Sequence, residues 1–596
     1  MLFPVTHDAR RRDCETDLAI SISPVFLSFS RRDMVPPPPP PSAAAFLAAA
    51  ALSAAVFLGP PPGLLPSALA QPAPASAPAL LERGNGAYGR GDLEEAVRSY
   101  EACLELDPDL TYCAVNLASA LSDSGDPAQL GRAEALYREA LRTDPADPDA
   151  AFNLAMLLHD RKTVEAAREA AELLGVAVRA DPGRWDAWAN LASALVEVGD
   201  DPLGTVRAYE RAILLIEREA EEEEQAGGGG EDAGRDRYLS ALYSGYGGVL
   251  ADLGPSQCLE LERDEHSLLI GNERDGDGDG DGEDQAAAAA ANAKRLCTET
   301  ALNALRSAAI LDAGNSVAAH MLAALSAADG GDDGVHRRAS PEFVATLFDK
   351  FADTFDEKLG SLEYRVPGII GALAAGARGG AGAYRSALDA GCGTGLAGRF
   401  LRPLVRGPMV GVDISQKMLD KAAGCTLLKG CGAEGGGGGG GDDGDAPLYD
   451  ALVALDLEAM TLEETLLAPG VTRRDALAGG GQEEAGFDLV VAADVLVYFG
   501  RLDAVLGSFA GLSATGATLM FTCERTTEEE APLGYRLHPS GRFSHTKAYV
   551  LDTARELGYS LQHYEEIVPR MEKGAEVKGH IFHFTMEDRD AGKEEL

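Results

Sequence analysis

The sequence predicts an all-α array of helix pairs followed by an α/β domain with a doubly wound, mostly parallel sheet. Three segments end alike, at Leu104-Glu105-Leu106-Asp107-Pro108, Leu141-Arg142-Thr143-Asp144-Pro145 and Val178-Arg179-Ala180-Asp181-Pro182, and the prolines stand 37 residues apart twice. Asn-Leu-Ala recurs at Asn116, Asn153 and Asn190. From Leu388 onward short apolar runs alternate with helical patterns instead, which argues for strands joined by helices across a parallel sheet.

In the first part each unit reads as a helix pair. Small residues such as Ala96, Ala140, Ala171 and Ala212 let the helices approach, and the proline is expected to start the next helix. One pair cannot bury its face alone, so pairs stack. Over residues 79–220 this resembles tetratricopeptide repeats, whose period is about 34 residues. That resemblance implies a TPR solenoid with a groove for a protein or peptide partner. A looser helical pair, Tyr238 to Leu253 and Thr298 to Ala328, is expected within 221–330, interrupted by a disordered acidic insert around 271–285. Asp275, Asp277, Asp279 and Gly280 open like a calcium loop, but the twelfth position is Ala286, where a bidentate Glu is required. No metal site is expected.

The 596 residues exceed one hydrophobic core, and 45% hydrophobic content is ordinary for globular domains. A formal charge of −43 weighs against nucleic acid as a partner. Acidic runs at Glu221–Glu224 and Asp275–Asp284 read as solvated linkers. The nine cysteines are scattered, with no zinc spacing, and read as unpaired thiols of an intracellular reducing compartment. Residues 1–78 hold a proline run (Pro36–Pro41), an Ala-rich apolar run (Ala43–Leu58) and the small-x-small triplet Ala68-Leu69-Ala70. This reads as a targeting segment for an organelle such as a plastid, or for secretory entry. The run is short for a membrane span, so no membrane contact is expected beyond an N-terminal anchor.

The α/β domain is expected over 335–590. Ser340-Pro341 reads as a helix cap and first residue, followed by Leu347, Phe348, Phe351, Phe355 and Leu359 at helical spacing. Strands are expected at Ser386–Ala390, Met409–Val412, Ala451–Leu455, Phe487–Ala492, Thr518–Cys523, Leu561–Ile567 and His580–Thr585, the last two antiparallel. Leu388-Asp389-Ala390-Gly391-Cys392-Gly393-Thr394-Gly395 ends the first strand and is expected to open a helix near Leu396, whose N-terminus would favour an anionic group. Val412-Asp413 ends the second strand, where a carboxylate can accept both hydroxyls of a ribose. Gly393 to Gly398 also fits the dinucleotide fingerprint, which makes an NAD(P)-dependent oxidoreductase an alternative. Against it, Gly391 and Cys392 already break the strand, and Asp389 sits where an apolar residue is usual.

These motifs, in order, resemble class I S-adenosylmethionine-dependent methyltransferases, and the whole chain resembles a family of predicted methyltransferases fused to tetratricopeptide repeats. Besides the glycine turn, Ala454-Leu455-Asp456-Leu457 resembles the third-strand motif and Phe487 to Leu496 the fourth. The stretch Phe343–Pro367 resembles the family's lead helix, and Gly534 to Arg542 one of its loops. The resemblance implies a seven-stranded Rossmann-like sheet and S-adenosyl-L-methionine as cofactor. It implies that Gly391, Gly393 and Gly395 floor the methionine part, Asp413 holds the ribose, Asp456 and Leu457 meet the adenine, and Ala493 and Asp494 lie near the sulfonium, with Asp389 and Ile414 also among the cofactor-binding residues. An acceptor that must lose a proton needs a base, for which His538 and His545 are candidates, with Tyr535, Arg536 and Arg542 as anion or carbonyl binders. Insertions at 423–447, with the run Gly435–Gly441, and at 459–485 depart from the pattern but leave the motifs intact. The acceptor, protein or small molecule, is not identified. A non-catalytic scaffold with a degenerate methyltransferase domain is a further alternative.

Overall fold

The computed structural model of the protein describes residues 76–226, 233–263, 283–328, 337–427, 446–466, 486–572 and 574–588. The expected targeting segment, most of the acidic insert, the glycine run and most of the extension before the fourth strand lie outside them. Among the described residues no helix is long and apolar enough to cross a membrane. Two compact units divide these residues: one holds 76–198 and 211–226, the other 199–210 and everything from 233 onward.

The first unit contains Ala77–Gly89, Leu93–Leu106, Thr111–Asp123, Pro127–Thr143, Pro148–His159, Val164–Ala180 and Trp185–Val198, all helical. Asp92, Asp126 and Asp147 cap three of them by accepting from backbone amides two or three residues on. The alanines of the Asn-Leu-Ala triplets, Ala118, Ala155 and Ala192, are fully buried. A Cβ at Gly84 would stand 2.4 Å from the Tyr100 ring, so the absence of a side chain there is what lets Tyr100 fill the pair. The prolines do not start helices as expected. Asp107, Asp144 and Asp181 each accept an amide two residues on, from Asp109, Ala146 and Gly183. Pro108, Pro145 and Pro182 lie inside these turns, and helices resume three residues later at Thr111, Pro148 and Trp185. A residue before proline is disfavoured in the helical region, which fixes where each helix stops. Glu221–Glu224 is not a linker but the end of the helix Pro202–Gln225, because glutamate is a good helix former and Arg218 pairs with Glu222 at 3.7 Å.

The cysteines correct another expectation. Cys103 pairs with Cys113, Cα atoms 6.3 Å apart, and Cys258 with Cys297, 6.1 Å apart. Each pair joins neighbouring helices, a proximity that sequence spacing does not encode. The reading of these four cysteines as unpaired thiols is corrected accordingly.

In the second unit four helices stand where a pair was expected: Ala233–Asp252, Pro255–Arg263, Glu283–Leu311 and Ser316–Ala328. The break after Leu311 has a local cause. Asp312 accepts the Gly314 amide at 2.9 Å, and Asn315 then caps the next helix at the Ala318 amide, 3.0 Å. The α/β fold follows. Its lead helix Pro341–Phe351 is capped by Ser340, whose hydroxyl accepts the Phe343 amide at 3.1 Å. The strands are β1 (Ala387–Ala390), β2 (Met409–Asp413), β3 (Ala451–Ala454), β4 (Phe487–Ala492), β5 (Ser513–Arg525), β6 (Tyr535–Leu537), β7 (Phe543–His545), β8 (Tyr559–Ile567), β9 (Met571–Glu572), β10 (Ala575–Glu576) and β11 (Gly579–Met586). Seven of them form the sheet in the order β3-β2-β1-β4-β5-β11-β8, with β11 antiparallel to both neighbours as expected. The short strands β6 and β7, not expected, pair with each other and with the end of β5. Leu388, Val410, Val490 and Leu519 fill one face, and Ala387, Met409, Leu489, Val491 and Met520 the other. Both faces are covered, which is why these strands read as continuous apolar runs.

Closing the 10-residue loop should stabilise the fold by about 3 kcal/mol and closing the 39-residue loop by about 4 kcal/mol, through the unfolded state. Cys103→Ser and Cys258→Ser are expected to lower the denaturation midpoint independently. Thermal melts with and without reductant check this, and a reductant-insensitive wild-type melt would refute it.

Candidate active site

The strand order reverses at β1, which lies between β2 and β4, and a sheet offers its ligand crevice beyond the C-terminal ends of strands at that point. The chain leaves β1 at Gly391, Gly393 and Gly395, with φ of +74°, +54° and +95°. Gly391 and Cys392 donate their amides to the Val412 carbonyl at 2.7 and 2.9 Å, and Gly393 donates to Asp413 Oδ2 at 2.9 Å. The Ser415 amide donates to Asp413 Oδ1 at 2.9 Å. A Cβ at Gly391 would stand 2.4 Å from Val495 Cγ2. The turn is thus tied to the end of β2 and pressed against the residues after β4. The helix expected to begin near Leu396 is a single turn, Gly398–Leu401, followed by a tight turn through Pro403. Proline cannot continue a helix interior, so the anionic site expected at this helix start is reduced to one turn of dipole.

A cavity of about 180 Å³ opens above this turn. Of the residues singled out in the sequence, Gly391, Gly393, Asp413, Ile414, Asp456, Leu457, Ala493 and Asp494 line it. Asp389 and Gly395 are not among its lining residues. Asp389 is fully buried and accepts a hydrogen bond from the Tyr449 hydroxyl at 2.7 Å, and burial pushes its pKa up to about 7. Gly395 and Gly398 make room for the same tyrosine: a Cβ would stand 3.3 Å from its ring and 2.4 Å from its hydroxyl. The second half of the dinucleotide-like fingerprint therefore has a packing cause.

Burial raises the pKa of Asp413, and the amides of Ser415 and Gly393 pull it back. Asp456 receives both carboxylate contacts from Arg338 Nη1 at 3.0 Å, and the same nitrogen reaches Glu458 at 2.7 Å. Asp494 holds a left-handed backbone, φ +60°, rare outside glycine and a form of strain that gathers at functional sites. Its amide donates to Thr522 Oγ1 at 2.8 Å, and its carboxylate accepts Arg570 Nη1 at 2.6 Å.

The sequence pointed to neither Arg338 nor Arg570. Arg570 is buried and also pairs with Glu524, and Arg542 bridges Glu524 and Glu572. Burial alone would raise the Glu524 pKa, but Arg542 and Arg570 hold it low. Burial works against the charge of Arg570, which Asp494, Glu524 and Glu572 nevertheless secure. No local motif announces such a cluster, since its members Asp494, Glu524, Arg542, Arg570 and Glu572 come from four segments of chain.

The candidate bases are placed elsewhere. Neither His538 nor His545 lines the cavity. His545 is fully buried, donates Nε2–H to the Gly500 carbonyl at 3.2 Å, and burial pushes its pKa down to about 4. His538 Nε2 meets Ser544 Oγ at 2.6 Å, and burial lowers its pKa as well. Both are locked into the β6–β7 hairpin, whose strands the sequence did not reveal. Of the binders named with them, Arg542 reaches the cavity, whereas Tyr535 and Arg536 do not.

The lead helix and the helix Phe355–Ser361 roof the cavity with Leu347, Phe348, Phe351 and Phe355. Phe348 meets Phe355 and Tyr498 edge-on, with centroids 5.9 and 5.4 Å apart. Three acids tie the roof down: Asp349 accepts from Ser415 Oγ at 2.6 Å, Asp356 from Thr394 Oγ1 at 2.5 Å, and Asp353 pairs with Lys421 at 2.7 Å.

Gly391→Ala adds a left-handed alanine and a clash with Val495, an expected loss of about 2–4 kcal/mol. Val495→Ala in the same chain should recover the clash share only. A double-mutant cycle by chemical denaturation measures this, and additive losses would show that the two residues do not press on each other.

Residues 77–110 match the family model of the tetratricopeptide repeat. No curated protein matches the chain. Among solved structures it is similar to MamA protein, at 15% identity over 40% of this chain and 95% of that one, TM-score 0.24. It is also similar to the Burkholderia thailandensis 1,6-didemethyltoxoflavin-N1-methyltransferase, at 14% identity over 42% and 92%, TM-score 0.28. A third is the magnesium protoporphyrin IX methyltransferase of Synechocystis PCC 6803, at 17% identity over 43% and 90%, TM-score 0.22. These scores are low, and the fold is carried by the strand order and the antiparallel β11. The chain joins a segment that matches the tetratricopeptide repeat to a Rossmann-like α/β domain.

Proposed function

We propose that the α/β domain is an S-adenosylmethionine-dependent methyltransferase. The observation that carries this reading is the facing of Asp413 and Asp456, from the ends of neighbouring strands, into one cavity floored by Gly391 and Gly393. These residues fit the group. Each Asp413 oxygen gives one lone pair to a backbone amide and keeps another for the hydroxyls of a ribose. Asp456, paired with Arg338, can accept the amine of an adenine beside the apolar side chains of Ile414 and Leu457. When bound, the cofactor supplies an electrophilic methyl group on a sulfonium. The chain's own part is alignment and exclusion of water, which the phenylalanine roof performs. The tyrosines on the wall, Tyr364 and Tyr498, have pKa values raised by burial and serve as hydrogen-bond donors rather than bases.

Titration calorimetry of the full chain with S-adenosylhomocysteine tests this. Asp413→Ala removes charge-assisted hydrogen bonds of about 1.5–3 kcal/mol, so affinity should fall roughly 10- to 150-fold. Unchanged affinity would sink the assignment, and tight binding of a nicotinamide cofactor would restore the oxidoreductase reading.

The repeat match supports a second element of the proposal: the array holds a protein or peptide partner that delivers the acceptor. Deleting residues 77–198 should leave cofactor affinity unchanged. It should raise the apparent KM for the physiological acceptor without changing kcat, because local concentration is lost. Equal acceptor kinetics in both forms would refute recruitment.

A further inference from the structure

We propose that His320, on the last helix before the α/β fold, is a positioning residue that sets two walls of the cavity at once. Its ring stacks on Phe343 at 4.1 Å between centroids. Phe343 is in the first turn of the lead helix, which carries Leu347, Phe348 and Phe351 to the roof. On its other side, His320 Nε2 lies 2.8 Å from the Gly541 carbonyl. A carbonyl can only accept, so Nε2 is the donor in this contact.

Gly541 is the corner of a tight turn. Its φ is +78°, its amide donates to the His538 carbonyl at 2.8 Å, and the His538 amide donates to the Arg542 carbonyl at 2.8 Å. A Cβ at Gly541 would stand 3.2 Å from His320 Nε2 and 3.3 Å from Met321 Sδ, so helix and turn are in close contact. Ala324, Leu537 and Phe543 seal the contact on both flanks of the turn. The next residue, Arg542, is buried, lines the cavity and bridges Glu524 and Glu572. Its Nη2 donates to Glu572 and its Nε lies 2.9 Å from Glu524, while the turn that His320 holds places the backbone from which this side chain reaches them.

One buried side chain from the helical segment therefore grips the roof through its ring face and the Arg542 wall through its ring edge. Loss of either grip loosens a different part of the site. The segment 233–328, lying outside the sheet, thereby becomes part of the cavity's construction.

Hydrogen exchange on the full chain, read by mass spectrometry without ligand, separates the two grips. His320→Ala should speed exchange roughly tenfold in both 341–351 and 538–545, the effect of losing about one hydrogen bond or one ring contact. His320→Gln keeps a donor and should restore 538–545 but not 341–351. His320→Phe keeps the stack and should restore 341–351 but not 538–545. Unchanged exchange in the alanine variant would overturn the proposal. So would equal loss in both segments for the Gln and Phe variants, since that is general loosening of a packed helix. The consequence for cofactor rests on the methyltransferase reading: affinity for S-adenosylhomocysteine should weaken about three- to tenfold in the Ala and Gln variants and stay near wild type in the Phe variant. The split exchange pattern in a chain that does not bind S-adenosylhomocysteine would uphold the positioning role and remove the methyltransferase reading.

Discussion

At the C-terminal edge of the sheet, the turn after β1 is held to the end of β2 by the Val412 carbonyl and the Asp413 carboxylate, and the rest of the cavity is arranged around that joint. Three successive amides that could face a ligand are used within the protein. What the turn offers a ligand is therefore closeness of approach, permitted by missing side chains at positive φ, rather than a row of donors. The same joint keeps Asp413 buried at the edge of the cavity, where burial pushes its pKa up and the amides of Ser415 and Gly393 pull it back. A buried carboxylate there is tolerable because two amides already compensate it.

Charge in the rest of the site follows a similar rule. Arg570 and Arg542 sit among Asp494, Glu524 and Glu572. Breaking such a network at one member leaves the others uncompensated, so its members hold one another's geometry more firmly than any single pair would. That rigidity supports the left-handed backbone of Asp494 at the mouth of β4. The roof is held differently, by single contacts from Asp349, Asp353 and Asp356 to the elements below. Each is partly exposed and modest in strength, so the roof is held less firmly than the charge network below it.

The helices between repeats and sheet belong with the sheet. Their contacts to it run through His320, Ala324 and the β6–β7 hairpin, and they are stapled internally by Cys258–Cys297. Truncations meant to isolate the α/β fold therefore have to keep them, and the repeats proper are the part that can be separated.

Much of the fold was legible in local chemistry. Period-two and continuous apolar runs marked all seven strands of the main sheet, Ser340 marked the lead helix, and the glycine turn with Asp413, Asp456 and Asp494 marked residues that do line one cavity. These signals are local because backbone conformation and burial are written residue by residue. Other features were decided by the tertiary structure alone: that Asp389 turns away to Tyr449, that His538 and His545 are locked in a hairpin, that Cys103 and Cys258 find partners, that Arg338 and Arg570 line the cavity, and that His320 meets Gly541. Each depends on segments far apart in the chain meeting in space, as His320 and Gly541 do across 221 positions, and no spacing within either segment carries that information.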